Sequence, residues 1–181
     1  VFTNFAGLSQ ALNNNATRTI IAHNLIYNGG SGGENGGQWP TWDANTFYDL
    51  DGNAITISNA SQAIITNNRI HNVMTLAPAS ELGAISISGQ GGAQQVENAQ
   101  ITGNRITSTL AVANRACFTS FLGTAALAPT LTNYSNNPCS GMGVGLHIIA
   151  SLNGNYTNNH LIAGTGAVDG IVLADSANSA S

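Results

Sequence analysis

Apolar and polar positions alternate over short stretches along most of the chain, and one six-residue pattern recurs. It consists of an apolar residue, two small or polar residues, an Asn, any residue, and then Ile or Leu. Four segments match it: Ile21–Ile26, Ile65–Ile70, Ile101–Ile106 and Tyr156–Leu161. Self-similarity at intervals of tens of residues indicates a repeat architecture, in which stacked units share one core.

A second strand signal precedes three of these segments and then occurs once more near the end of the chain. In it, β-branched residues or Leu alternate with small or polar residues, as expected for half-buried strands. The signal is found in Ala54–Ile57, Ala84–Ile87, Gly145–Ile148 and Gly170–Leu173. One rung is therefore a strand, a tight polar turn and a strand that carries the Asn pattern. We predict a single all-β solenoid domain over residues 1–181, with about five rungs.

The Asn of each pattern is predicted to be structural. The four are Asn24, Asn68, Asn104 and Asn159, separated by 44, 36 and 55 residues. Asn tolerates left-handed backbone dihedrals at a sharp bend, and rungs ~4.8 Å apart would let its amides bond in a ladder. A bare rung needs about half of each interval. The remainder is assigned to long loops inserted on one side, at 29–50, 74–82 and 109–140.

The two ends of the chain carry weaker signals. Phe5, Leu8 and Leu12 have helical spacing, which predicts a short helical cap over residues 4–12. Residues 176–181 stop in mid-pattern without a cap. Since an exposed rung edge invites strand pairing, we expect end-to-end self-association or continuation in a longer protein.

The Gly-Ile strand, polar turn and Asn-Asn-x-Ile pattern resemble the right-handed parallel β-helix superfamily of pectin-lyase-like proteins. Within it, Val96–Gly103 and Asn159–Gly164 resemble surface-displayed bacterial β-helices, including autotransporter passengers. The resemblance implies a right-handed parallel β-helix for most of the chain. Polysaccharide lyases, hydrolases and epimerases share this coil, so the resemblance leaves the activity open.

Composition narrows the environment and the partners. Only 7% of the residues are charged, four Arg are present without any Lys, and the formal net charge is −4. This argues against nucleic acid as a partner, because phosphate binding needs clustered basic residues. No apolar run is long enough to predict a membrane span. Cys117 and Cys139 frame a polar stretch, which favours one disulfide in an oxidising, extracellular setting over two free thiols.

Aligning the repeats brings several basic side chains to one predicted sheet face. Arg69, Arg105 and His160 share a column, and His71 lies two residues beyond Arg69. Such a face would suit an acidic polysaccharide, since Arg binds carboxylates bidentately. A solvated structural face and a catalytic face are the alternatives. We assign no catalytic residue, because no base is recognisable together with a group that stabilises developing charge.

Two further segments are candidates for binding. Asp49, Asp51 and Asn53 place oxygen ligands at alternate positions, as in calcium loops, although Asp51-Gly52 is also a simple turn signal. No cofactor is required by the sequence, and calcium is the one candidate ion. Aromatic residues of the predicted 29–50 loop could stack on sugars or pack that loop onto the coil. They are Trp39, Trp42 and Tyr48.

Together these features predict an extracellular or cell-surface β-solenoid with a structural or adhesive role, such as a segment of a longer passenger or a stacking subunit. The alternative is a carbohydrate-active β-helix, either an enzyme or a binding module for an acidic polysaccharide. The weak catalytic signals and the uncapped end favour the first interpretation. The Arg/His face and the aromatic segment favour the second.

Overall fold

The computed structural model describes residues 1–4, 10–76, 82–89, 96–110, 115–122, 129–148, 153–164 and 169–173. Within these ranges the chain forms twenty β-strands and no helix. It passes through three parallel sheets in turn, with one strand in each sheet per coil. Right-handed crossovers are the rule for parallel strands. The molecule is thus a right-handed parallel β-helix, and the predicted fold class is confirmed.

The three sheets are numbered in the order in which the chain meets them. Sheet 1 stacks β1 (Phe2–Thr3), β4 (Leu25–Gly29), β7 (Thr46–Leu50), β10 (Arg69–His71), β13 (Arg105–Thr107), β16 (Pro138–Met142) and β19 (His160–Ala163). Sheet 2 stacks β2 (Gln10–Asn14), β5 (Ser31–Asn35), β8 (Ile55–Ser58), β11 (Leu82–Gly89), β14 (Arg115–Leu122), β17 (Val144–Ile148) and β20 (Asp169–Leu173). Sheet 3 stacks β3 (Ile20–Ala22), β6 (Thr41–Asp43), β9 (Ile64–Thr66), β12 (Gln100–Thr102), β15 (Asn133–Ser135) and β18 (Asn155–Thr157).

The stack contains six complete coils and the first two strands of a seventh, β19 and β20. The two coils beyond the expected number use the segments Trp42–Phe47 and Tyr134–Cys139. Each follows the Asn pattern except that its last residue is Phe or Cys instead of Ile or Leu.

These extra coils correct the predicted loops. The interval 29–50 is not an inserted loop, because it contains β5, β6 and β7. The interval 109–140 contains β14, β15 and the start of β16. Of the interval 74–82, residues 74–76 form a turn and residue 82 begins β11, while 77–81 lie outside the described residues.

Six asparagines form a continuous ladder along the corner between sheets 3 and 1. In each except the first, Oδ1 accepts hydrogen bonds from the backbone N–H and the Nδ2 of the Asn one coil earlier. Asn104 Oδ1, for example, lies 3.1 Å from Asn68 N and 2.9 Å from Asn68 Nδ2. The ladder is Asn24, Asn45, Asn68, Asn104, Asn137 and Asn159. The predicted ladder exists, with two members that the sequence pattern did not reveal.

The reason we gave for Asn at this position was partly wrong. The left-handed residue at the corner is the one before each ladder Asn, as at Ala44 (φ 52°) and Gly103 (φ 69°). The ladder Asn itself is selected by hydrogen bonding, because its Nδ2 also reaches a backbone carbonyl. Asn104 Nδ2, for example, lies 2.8 Å from the Ile65 oxygen.

The interior is filled by columns of apolar side chains that share one register, such as Ile26, Phe47, Ile70 and Ile106 from sheet 1. Cys117 and Cys139 lie in this core and form the predicted disulfide, with their Cα atoms 6.4 Å apart. The disulfide joins sheet 2 of the fifth coil to sheet 1 of the sixth.

The predicted helical cap over residues 4–12 is wrong where it can be compared. Residues Gln10–Asn14 form strand β2, which pairs with β5, and Asn4 has a left-handed φ of 59°. Residues 5–9 lie outside the described residues. Helical spacing of three apolar residues was outweighed by the strand pairing that the second coil offers.

Candidate functional site

The outward side of sheet 1 carries two parallel columns of side chains, which we call the axial face. The arginine column is one residue before the buried column on each strand, and the tyrosine column is one residue after it. The arginine column contains Leu25, Thr46, Arg69, Arg105, Pro138 and His160. The tyrosine column contains Tyr27, Tyr48, His71, Thr107, Ser140 and Ile162.

Arg69 and Arg105 are direct cross-strand neighbours in this face, and both are exposed. Neither forms an ion pair in the part of the chain that the structure describes. Like charges directly opposite one another in a sheet are destabilising. An anion bound between the two guanidinium groups would relieve this repulsion. His160 belongs to the same column but lies beyond Pro138, two coils from Arg105.

The tyrosine column is an aromatic stack at its N-terminal end. Tyr27 and Tyr48 have ring centroids 4.6 Å apart and an interplanar angle of 10°. His71 follows Tyr48 in register, and its Nδ1 lies 2.8 Å from Thr107 Oγ1. Burial raises the pKa of the Tyr48 phenol, and the neighbouring Tyr27 and Asp49 act in the same direction. One face of each ring covers the other, so the stack presents ring edges outward from the sheet.

The three aromatic residues predicted to share a loop are on different parts of the coil. Trp42 lies in β6 and is fully buried in the core. Trp39 lies at the corner that leads into sheet 3, where the Arg18 guanidinium sits 4.6 Å from its ring centroid. Tyr48 belongs to the axial face. They do not form one sugar-stacking surface, because the segment that carries them winds through a whole coil.

The residues predicted as calcium ligands also have separate roles. Asp51 Oδ1 accepts a 2.7 Å hydrogen bond from Thr75 Oγ1, and Asn53 Nδ2 donates to Ser86 Oγ at 2.8 Å. Asp49 is exposed at a left-handed position, with φ 52°. Among the described residues, no three His, Cys, Asp or Glu side chains are grouped so as to hold a metal ion.

A row of polar residues on sheet 2 was missed by the sequence analysis. Ser86, Thr119 and His147 occupy one register position on β11, β14 and β17, between core residues on each strand. They should face outward by alternation, yet all three are buried. Ser86 Oγ lies 2.7 Å from Thr119 Oγ1 and accepts from Asn53. Aligning Ala84–Ile87 with Gly145–Ile148 would have revealed the shared position of Ser86 and His147.

Arg115 is the second group on this side that sequence analysis did not single out. It begins β14 and is 7% exposed, and its Nη2 donates to the Thr75 carbonyl at 3.0 Å. Its buried Nε has no partner among the described residues. Burial lowers the pKa of this guanidinium. The axial face is thus open and basic, whereas the polar groups of sheet 2 are covered.

No protein-family model matches this chain, and no curated protein sequence matches it. Where the structure is described, no helix is long and apolar enough to cross a membrane. The buried disulfide indicates a non-reducing environment.

Proposed function

We propose that this chain is an extracellular or cell-surface β-solenoid with a structural or adhesive role, and that its axial face binds an acidic glycan. The observation that carries the proposal is that Arg69 and Arg105 are exposed neighbours without an ion-pair partner among the described residues, in a chain of net charge −4. Guanidinium groups one coil apart, at ~4.8 Å, can bind successive carboxylates along one polymer. The three-sheet coil supports the resemblance to the pectin-lyase-like superfamily and to bacterial surface β-helices.

The proposal is tested by affinity electrophoresis and calorimetry with polygalacturonate, alginate and neutral dextran. We expect weak binding to the two acidic polymers, which falls as salt is added, because exposed charges are screened over ~8–10 Å. The double variant Arg69→Gln/Arg105→Gln should lose at least about tenfold in affinity. Arg18→Gln is the matched control, since Arg18 is exposed at another corner. Equal binding by all three proteins would refute a role for the axial face.

The second candidate function is an enzyme that acts on an acidic polysaccharide. The buried row Ser86, Thr119 and His147 and the buried Arg115 favour it, because enclosed polar groups are common at catalytic sites. Incubation with pectate and alginate, with and without calcium, tests this by following unsaturated products and reducing ends. The adhesive proposal expects no turnover. Turnover that disappears in His147→Ala or Arg115→Ala would make the enzyme the better interpretation.

End-to-end self-association and the membership of a longer passenger stay predictions. Light scattering and electron microscopy of the purified chain test the first of these. Filaments or discrete end-to-end oligomers would support a stacking subunit, and a monomer at all concentrations would argue against it.

A further inference from the structure

A straight channel runs along the axial face between its two columns. Side chains two residues apart on one strand stand ~7 Å apart, which sets the width. The register of sheet 1 is unbroken from β4 to β13. These four strands span three inter-coil steps, or ~14 Å. The floor lies over the buried column, and the channel is oriented along the axis of the coil.

The two walls of this channel differ in chemistry. One wall ends in the Arg69 and Arg105 guanidinium groups, which have no anion partner among the described residues. The other wall is formed by Tyr27, Tyr48 and His71 in register. Since Tyr27 and Tyr48 are stacked along the axis with nearly parallel planes, their edges line the channel.

Ring edges carry the positive part of the aromatic quadrupole, so they attract the negative face of another aromatic ring. A sugar would instead pack against a ring face, and here one face of each tyrosine is covered by the other, while the outer faces look along the axis toward Thr3 and His71. The tyrosine wall therefore suits a flat aromatic ligand, and the arginine wall suits an acid group on that ligand.

We propose that this channel binds elongated, planar aromatic anions, which lie along the axis of the coil and contact several coils at once. The inference uses the axial face of the proposed function but does not depend on glycan binding. The shared chemistry is an acid group held by Arg69 and Arg105. The additional requirement is a flat aromatic surface over the edges of Tyr27 and Tyr48.

The probe is Congo red, a linear aromatic molecule with two sulfonates, titrated into the purified protein and followed by its absorbance shift. Thioflavin T, a planar cation, tests the charge requirement. We expect one Congo red site per chain and at least about tenfold weaker binding in Arg69→Gln/Arg105→Gln. Tyr48→Leu should weaken binding about threefold to tenfold, since an edge-to-face contact is lost. Arg18→Gln should bind as the unmodified chain does.

Thioflavin T binding as tight as that of Congo red, or Congo red binding that survives both variants, would overturn the inference. The mutated side chains are exposed or half-buried. Circular dichroism with thermal melting verifies that each variant is folded. Congo red binding without polygalacturonate or alginate binding would support this inference and reject the glycan proposal. Binding of the polymers without Congo red would do the reverse.

Discussion

The corner between sheets 3 and 1 and the two flanks of sheet 2 belong to the same coils, but they differ in how much the length of the connection varies. At the corner, two residues separate the strands in every complete coil, and the second is a ladder Asn. Around sheet 2, the connection from sheet 1 varies from one residue between β4 and β5 to ten residues between β10 and β11.

The difference follows from where each part satisfies its backbone. Successive ladder asparagines are hydrogen-bonded to one another, so one additional residue at an inner corner would interrupt hydrogen bonds to the coils on both sides. The flanks of sheet 2 carry no such ladder among the described residues, and they accept insertions. Ladder intervals of 21 and 23 residues at the start of the stack therefore grow to 36 and 33 residues in the middle.

Sheet 1, which follows the regular corner, and sheet 2, between the variable flanks, also differ in what they expose. Sheet 1 presents the open axial face, with Arg69, Arg105 and the tyrosine stack. On sheet 2 the outward polar groups Thr119 and His147 are buried. Recognition of a polymer suits sheet 1, since the spacing of its side chains repeats. Any enclosed chemistry would belong to sheet 2.

The largest effect is expected from breaking the ladder at its centre. Asn104→Val removes the acceptor of the Asn68 N–H and of one Asn68 Nδ2 hydrogen, and the donor to the Ile65 carbonyl, while Asn68 Nδ2 keeps its bond to the Trp42 carbonyl. Each buried polar group left unsatisfied costs ~1–3 kcal/mol, so the free energy of unfolding should fall by about 4 kcal/mol. Urea denaturation measures it. Asn155→Val is the control, because Asn155 is exposed on β18. Equal losses in the two variants would contradict the ladder's role.

The next largest effect is expected from removing the disulfide. Cys117→Ala/Cys139→Ala removes the disulfide that ties sheet 2 of one coil to sheet 1 of the next. The two cysteines are 22 residues apart. Without the crosslink the unfolded chain gains conformational entropy, which should lower the free energy of unfolding by about 3 kcal/mol. We expect a matching loss in urea denaturation. Reduction of the unmodified chain should reproduce it, and stability independent of reductant would refute the assignment.

The sequence predicted the regular side well, since four ladder Asn and their flanking Ile or Leu share one pattern. It missed Asn45 and Asn137 because Phe47 and Cys139 occupy the place of Ile or Leu. The core accepts these residues, as packing depends on volume and apolarity more than on one side-chain type. The burial of Ser86, Thr119 and His147 could not be predicted, because alternation assigns such residues to solvent.

A smaller effect is expected at the left-handed residue before the ladder Asn. A residue with Cβ pays ~1–2 kcal/mol in this region relative to an ordinary helical or extended backbone. Gly103→Ala, at φ 69°, should therefore lower the free energy of unfolding by about 1 kcal/mol. Ala44→Gly, at φ 52°, is the matched reverse change and should raise the free energy of unfolding by a few tenths of a kcal/mol. Changes of the same sign in the two variants would show that corner strain does not decide these positions.

The smallest effect is a pH dependence on sheet 3, next to the regular corner. Hydrogen bonds from Thr66 and then Asn67, at 2.8 and 3.1 Å, lower the pKa of the Asp43 carboxyl, and the charge of His23 adds to this. A carboxyl whose pKa is lower in the folded state stabilises the fold at pH above its unfolded pKa of ~3.9. That contribution is lost as the pH falls through the folded pKa.

Asp43→Asn should therefore flatten the decline of the melting temperature below about pH 4. Asp49→Asn removes one negative charge at an exposed turn and is the control. Parallel melting curves for Asp43→Asn and the unmodified chain would mean that these hydrogen bonds persist after protonation, and that the Asp43 carboxyl does not contribute to the acid dependence of stability.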